Sequence, residues 1–452
     1  MSLEDIVLQI LALDFGDPYA FLRGALSAPD DTAIANALLF LESLGAVVLN
    51  NLNPDAAMVG AGGMNGSRSQ QGKGQELLPE YDLDSEITPL GFHLAALPIN
   101  PKIGKLILYG VILECIDPIL TIASALSVKS VFYSPFGNKD AADEAKLTYS
   151  TGHSDLLTSL NAINCWREQY RNDATKPPTG GKKKNNSNNN DTSNEGDSNI
   201  SNKNAKRPAM SEYEYCRVNF LNMHSLQLIE QMRAQFLTLL QDIGFMPTSV
   251  TLRSIMHCSQ NAHGRHNGLI KSAICAGLSP NILHVPGVSS GPTSSSGSGS
   301  GGGKIRNLGK KLSEVTLQAR RTSGSVTGSG GTMSSMKVHP SSVMSEVKSL
   351  DSNYMVYLEA MRTSQVYVRD VTTIPGLILA LFSGRSRVNP RNGLVVVDGW
   401  ISFRTPSAQV TRCLLQVRDV MDNAFMQKVL DPSSDGSSEW RKVLNYIRQA
   451  VA

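Results

Sequence analysis

Along the N-terminal part of the chain, apolar positions step by three or four residues. Ile34, Leu38, Leu41 and Leu44 form one such stripe, opened by Asp30 and Asp31 and followed by Gly45. The spacing predicts a capped amphipathic helix that stops at the glycine. "GAVVLN" then reads as a short strand, and "TPLGFHLAAL" as a helix capped by Thr88 with Pro89 at its first position. Asn100-Pro101 and Asp117-Pro118 repeat that cap-then-proline pairing before "PKIGKLILYGVIL" and "PILTIASALS". Leu226, Ile229, Met232, Phe236 and Leu240 line one face of a longer helix.

From about residue 248 the period changes. A helix over 268–276 precedes "NILHVPGV", "SMKVHPSSV", "NYMVYLEAM", "SQVYVRDVTTI" and "GLVVVDGWISF", short runs rich in Val, Ile, Tyr and Thr. Several alternate apolar with polar positions, as strands do. "PGLILALF" is too continuously apolar for such a strand and reads as a short helix. These runs predict a small β-barrel with one helix interposed. Two helical segments, Ser407 to Leu430 and Glu439 to Val451, close the chain.

Three tracts break the pattern: Asn53 to Gln75, Lys176 to Arg207 and Ser289 to Ser335, rich in Gly, Asn and Ser. Each has too few apolar residues to offset the entropy of ordering, so all three read as disordered insertions. Within the third, "KIRNLGKKLSEVTLQARR" sets Ile305, Leu308, Leu312, Val315 and Ala319 at helical spacing with cations opposite. That predicts a transient basic helix for RNA or a partner, weakened by Gly309. The "RRTS" that ends there resembles a basophilic kinase site, where a phosphate would oppose RNA contact.

Composition adds bounds. A chain of 452 residues suggests roughly two to four domains, and a net charge of +3 identifies no partner by itself. The six cysteines stand singly, as reduced thiols of the cytosol or nucleus do. "MSLEDIVLQILALDFGD" lacks the features of a signal peptide. The apolar stretch from Ile99 to Leu126 is broken by Lys102, Lys105, Glu114, Asp117 and Pro118, so no membrane span is expected. The expectation is a soluble cytoplasmic or nuclear protein.

Asp143-Glu144-Ala145-Lys146 differs by one letter from the D-E-A-H that holds magnesium in RNA-unwinding ATPases. Such a motif needs a buried strand before it, and "FGNKDAA" is polar and turn-like. A phosphate-cradling G-K-[ST] loop is also missing: "TGGKKK" and "GGGKIR" follow no strand. DEAK therefore reads as a solvated acidic turn entering a helix, and this chain alone is expected to show no ATPase activity. His257, Cys258, His263, His266 and Cys275 lack the tight pairs of a zinc site, so no metal is expected.

The words around DEAK point further. "TPLGFHLAALPINPKIGKLILYG", "DPILTIASALSVKSVFYSPFG", "AADEAKLTYSTGHSDLLTSLNAINCWREQ" and "EYCRVNFLNMHSLQLIEQMRAQFLTLL" closely resemble the region that follows the motor in DEAH/RHA-type RNA helicases. The likeness continues through "MKVHPSSV" and "VYLEAMRTSQVYVRD". It implies a multidomain α+β fold: a partial winged helix, a helical ratchet bundle, then an OB-type β-barrel with C-terminal helices. The corresponding bounds are 1–97 with an insertion at 53–75, 98–245 with one at 172–210, 246–432 with one at 289–335, and a final helix at 433–452. The two RecA-like motor domains of the family have no counterpart in the chain, and the winged helix begins late, so Met1 reads as a truncation or gene-model boundary.

The resemblance further implies that bundle and barrel form one wall of a channel for single-stranded RNA. Such a wall needs cations for phosphates and aromatic faces for bases. Candidates in the barrel are Lys337, His339 and Ser341, with Arg362, Thr363, Ser364, Tyr367 and Arg369; they alternate along strands, and a solvated outer face is the other reading. His153 and Asp155 match the family's Gly-His-Ser-Asp motif at a helix start, where Ser154 or Asp155 equally serves as a cap. Arg217 reaches either the channel or an acid in the bundle.

The expected function is that of an accessory region of an ATP-dependent RNA helicase, binding single-stranded RNA and coupling it to a motor in cis or in trans. An activator protein is a further expected partner. ATP and Mg2+ enter only if a motor region exists upstream; the chain itself needs no cofactor. The alternative is a motor-less scaffold that recruits proteins through bundle and barrel. An independent hydrolase finds no catalytic constellation.

Overall fold

The computed structural model describes residues 2–50, 85–170, 210–286, 306–320, 333–384, 386–389, 393–434 and 438–451. The tracts 53–75 and 176–207, and "RRTS" beyond Arg320, lie outside the described residues.

Three helices, α1 (Leu3–Ala12), α2 (Pro18–Arg23) and α3 (Asp31–Leu44), open the chain, and Gly45 ends α3 at φ +79°. An antiparallel pair follows, β1 (Val47–Leu49) with β2 (Ser85–Ile87), the small wing. Helix α4 (Pro89–Ala96) starts as its sequence predicts, with Thr88 Oγ1 accepting from Gly91 N at 3.0 Å.

The bundle comprises α5 (Pro101–Ile112), α6 (Ile116–Ser127), α7 (Lys139–Leu147), α8 (Asp155–Tyr170), α9 (Glu212–Val218), α10 (Met223–Asp242) and α11 (Asn267–Leu278). Asn100 caps α5 through Lys102 N at 3.0 Å. Asp117 differs from expectation. Helix α6 begins at Ile116, two residues earlier, so Asp117 lies inside its first turn and its carboxylate pairs with Arg233 of α10. Glu230 joins Arg233 at 2.9 Å and Arg167 of α8 at 3.0 Å. A charge as buried as Arg233, at 2% exposure, persists only when paired. Helices α5 and α11 approach closely at Gly277, where a Cβ would come within 2.5 Å of Leu106 Cβ.

The barrel wall is a curled sheet in the order β11-β8-β3-β5-β6-β10-β9. In chain order its strands are β3 (Ile282–His284), β5 (Leu317–Arg320), β6 (Met333–Val338), β8 (Tyr354–Val356), β9 (Ala360–Arg362), β10 (Val366–Val368) and β11 (Thr372–Thr373). The short pair β4 (Arg306–Asn307) and β7 (Ser349–Leu350) lies beside it. Neighbours are antiparallel except β6 and β10. Leu283, Leu317, Val338, Met355 and Val368 fill its core.

Two expectations are corrected. The basic segment 304–321 is neither a disordered insertion nor a docking helix over its described part, and β6 likewise begins inside the tract 289–335. Leu312, Val315, Leu317 and Ala319 are buried in the barrel core, and β5 runs between β3 and β6. "GLVVVDGWISF" is not part of the barrel sheet either. It forms β13 (Leu394–Val397) and β14 (Ile401–Arg404), which pair with β12 (Ser386–Asn389) as a separate three-stranded sheet.

That sheet follows α12 (Gly376–Phe382), the predicted short helix, and precedes α13 (Ala408–Leu430) and α14 (Ser438–Ala450). Arg418 of α13 donates to the carbonyls of Ala380, Ser383 and Gly384, satisfying the end of α12. His93 of α4 meets Val429 O at 2.7 Å, so α13 also ties back to the N-terminal helices. Among the described residues, no helix is long and apolar enough to cross a membrane.

Candidate nucleic-acid interface

The first residue of α8 builds the seam between bundle and barrel. Asp155 is 5% exposed, and its carboxylate accepts from Ser342 Oγ at 2.6 Å, Val343 N at 2.8 Å and Val371 N at 3.0 Å. Its own N–H donates to Val371 O at 2.9 Å, and Thr373 N donates to His153 O at 3.0 Å. The helix therefore starts as an extra rung of the sheet. Ser154 Oγ accepts from Leu157 N at 3.1 Å, which is the cap.

Beside this seam opens a cleft of about 480 Å³. Ile122, Leu126, Leu156, Leu358 and Met361 supply apolar wall, and Lys129, Lys146, Ser341, Arg369 and Asp370 supply polar lining. Strand register sets one side. Lys337 stands opposite Tyr367, and Tyr367 opposite Met361, across three adjacent strands. His339 and Arg369 lie two residues on, hence on the same face. Arg369 Nη2 is 3.2 Å from His339 Nε2, His339 Nδ1 is 2.7 Å from Ser341 Oγ, and the His339 and Tyr367 rings meet edge-on at 5.8 Å.

The bundle adds Lys146, whose Nζ donates to Ser341 O at 2.6 Å and lies 5.3 Å from the centre of the Phe132 ring. Lys139 opens the same helix. Burial, then Arg369, Lys146 and Lys139, hold the His339 imidazole below its ordinary value, so it is neutral at pH 7. Among the described residues, Lys337, Lys146 and Arg369 form no ion pair with a carboxylate within 4 Å.

The structure thus gathers Lys337, His339, Ser341, Tyr367 and Arg369 of the sequence candidates. Arg362 stands opposite Val366, on the other face of the sheet, and Thr363 and Ser364 form the exposed hairpin tip beside it. His153 lies off the cleft, 3.3 Å from Asp351. Asp155 lines the cleft with its oxygens already engaged. Arg217 is exposed on α9, away from these residues.

Lys146 escaped notice because it belongs to DEAK, set aside as a chance likeness; only the fold brings it to Ser341. The imagined zinc residues have other occupations. His266 Nδ1 accepts from Leu269 N at 3.2 Å, His263 lies 3.2 Å from Glu114, and Cys275 is fully buried with its thiol pushed far up by burial.

Residues 100–198 match a helicase associated domain (HA2), ratchet-like; residues 270–386 match an oligonucleotide/oligosaccharide-binding (OB)-fold; residues 393–452 match a C-terminal domain in RNA helicases. These are the accessory domains of a DEAH/RHA-type RNA helicase. The helicase C-terminal match takes the β13–β14 hairpin together with α13 and α14.

This helicase region is 29% identical over 452 residues to the ATP-dependent RNA helicase DHX29 of Homo sapiens, covering 100% of the chain and 26% of the relative. It is 32% identical over 369 residues to the putative ATP-dependent RNA helicase DHX57 of Mus musculus, covering 78% and 23%. With the DExH-box ATP-dependent RNA helicase DExH1 of Arabidopsis thaliana it shares 28% over 451 residues, covering 98% and 34%. The chain spans 23% to 34% of the length of these relatives.

Proposed function

We propose that this helicase region grips single-stranded RNA along the face that runs from Lys337 and Tyr367 to Arg369 and Lys146. The observation that carries the reading is the meeting of Lys146 from the bundle with Ser341, His339 and Arg369 from the barrel at the mouth of one cleft. Unpaired cations suit phosphates, and a half-buried tyrosine and histidine beside them suit sugars and unstacked bases. Work on the strand would come from motor domains, in cis or in trans, which would also bring ATP and Mg2+; the chain by itself would hydrolyse no nucleotide. An activator protein, and residence in the cytoplasm or nucleus, belong to the same proposal.

Fluorescence anisotropy with a labelled unpaired oligonucleotide tests it. Three or four phosphate contacts would give a slope of log affinity against log salt of about −2 to −3. Lys146→Glu and Arg369→Glu should each weaken binding about 10-fold or more and flatten that slope. No binding at low salt, or binding that ignores both salt and the two reversals, would refute the proposal.

A further inference from the structure

Asp370 plays no part in the grip described above. It holds φ at +55°, a left-handed backbone that aspartate tolerates better than most residues, and it lines the cleft. Among the described residues, no hydrogen bond or ion pair engages its carboxylate, and burial followed by the charge of Asp155 pushes it up to about 6. Asp370 is half-buried in the cleft wall, where a partly desolvated carboxylate gains from donors that a ligand brings. Around it the cleft offers apolar side chains from Ile122, Leu126, Leu358 and Met361, a second carboxylate from Glu359, and the cations Lys146 and Arg369.

We propose that this cleft takes a guanine base, with Asp370 accepting its adjacent N–H donors and Lys146 and Arg369 holding its phosphate. Apolar walls suit the faces of a planar heterocycle, and a volume of about 480 Å³ falls within the usual range of small-ligand pockets, roughly 300–1,000 Å³. The edge chemistry selects the base. Guanine presents two neighbouring donors, N1–H and the N2 amino group, which match the two oxygens of a carboxylate. Adenine and cytosine set an acceptor beside their amino group, and uracil flanks its single donor with two acceptors. Each of these turns a lone pair toward Asp370. A divalent cation fits less well, because Lys146 and Arg369 act on the same carboxylate. The phosphate half of the proposal rests on the RNA-gripping reading; the base half does not.

The same chemistry is found in a guanosine within a strand and in a free guanine nucleotide. Binding to the full chain at pH 7.5 would be compared for an all-uridine oligonucleotide, the same oligonucleotide with one central guanosine, and one with inosine, which lacks the N2 amino group. GMP and UMP would serve as free competitors. A guanosine preference of about 10-fold is expected, smaller for inosine, and lost in Asp370→Asn and in Met361→Trp, which fills the cleft. The preference is read as a ratio within each variant, so a general change in affinity does not mask it. If GMP competes and UMP does not, free nucleotide is the ligand; if the preference appears only in the strand, the ligand is a base of the RNA. Either result supports the guanine site. Equal binding of all oligonucleotides with no GMP competition, or a preference that survives Asp370→Asn, overturns it. RNA bound without base preference would leave the gripping reading standing and remove only this one.

Discussion

Two aspartates share the seam between bundle and barrel, and their surroundings treat them in opposite ways. Asp155 receives three donors, whereas among the described residues Asp370 receives none. A carboxyl raised to about 6 is one whose neutral form the fold prefers. That preference contributes its full stabilisation below the ordinary aspartate value and loses it as pH rises through about 6. Asp370→Asn keeps the shape and stays neutral. The variant should therefore match the parent protein near pH 4 and exceed it by about 1–2 kcal/mol at pH 7.5, measured by denaturant titration at both values. A variant less stable than the parent at pH 7.5 would mean that Asp370 is held by something other than desolvation. Neither environment was visible in "GHSD" or "VYVRD", because each depends on partners some two hundred positions distant, such as Val371 for Asp155.

At the scale of elements, charge pairs differ by burial rather than by distance. Arg233 and Glu230 lie 2.9 Å apart inside the bundle, and Arg23 and Asp31 lie 2.9 Å apart in solvent. Arg233→Ala leaves Asp117 and Glu230 with Arg167 as their one remaining cation among the described residues and should cost about 3 kcal/mol; Arg23→Ala should cost under about 1 kcal/mol. Parallel unfolding curves of the two variants check the contrast. The order of winged helix, bundle and barrel was legible because stripes and alternation persist over many residues. Segment 304–321 was misread for a physical reason. Val315 and Ala319 are four apart, a spacing that satisfies a helix face and a strand face alike. Leu317 decides: it would sit off the helix stripe, but in the strand it is fully buried. The candidate site was half legible, since alternation pointed to Lys337, His339, Tyr367 and Arg369, which the fold sets on one face, but could not say which face Arg362 takes.

For the whole molecule, the main core runs from α1 through the bundle to α13 and α14, while the barrel keeps its own core and joins at the seam. The rungs between Asp155 and Val371 and between His153 and Thr373 make α8 continuous with the sheet. Prying bundle from barrel would bare a buried carboxylate, a cost that opposes widening of the opening between them. If a strand is gripped there as proposed, an opening of set width would sort it by thickness before any chemistry begins. An unpaired strand should thus outcompete a blunt duplex of equal length and charge in anisotropy measurements, and raising the duplex concentration should not widen the gap to admit it.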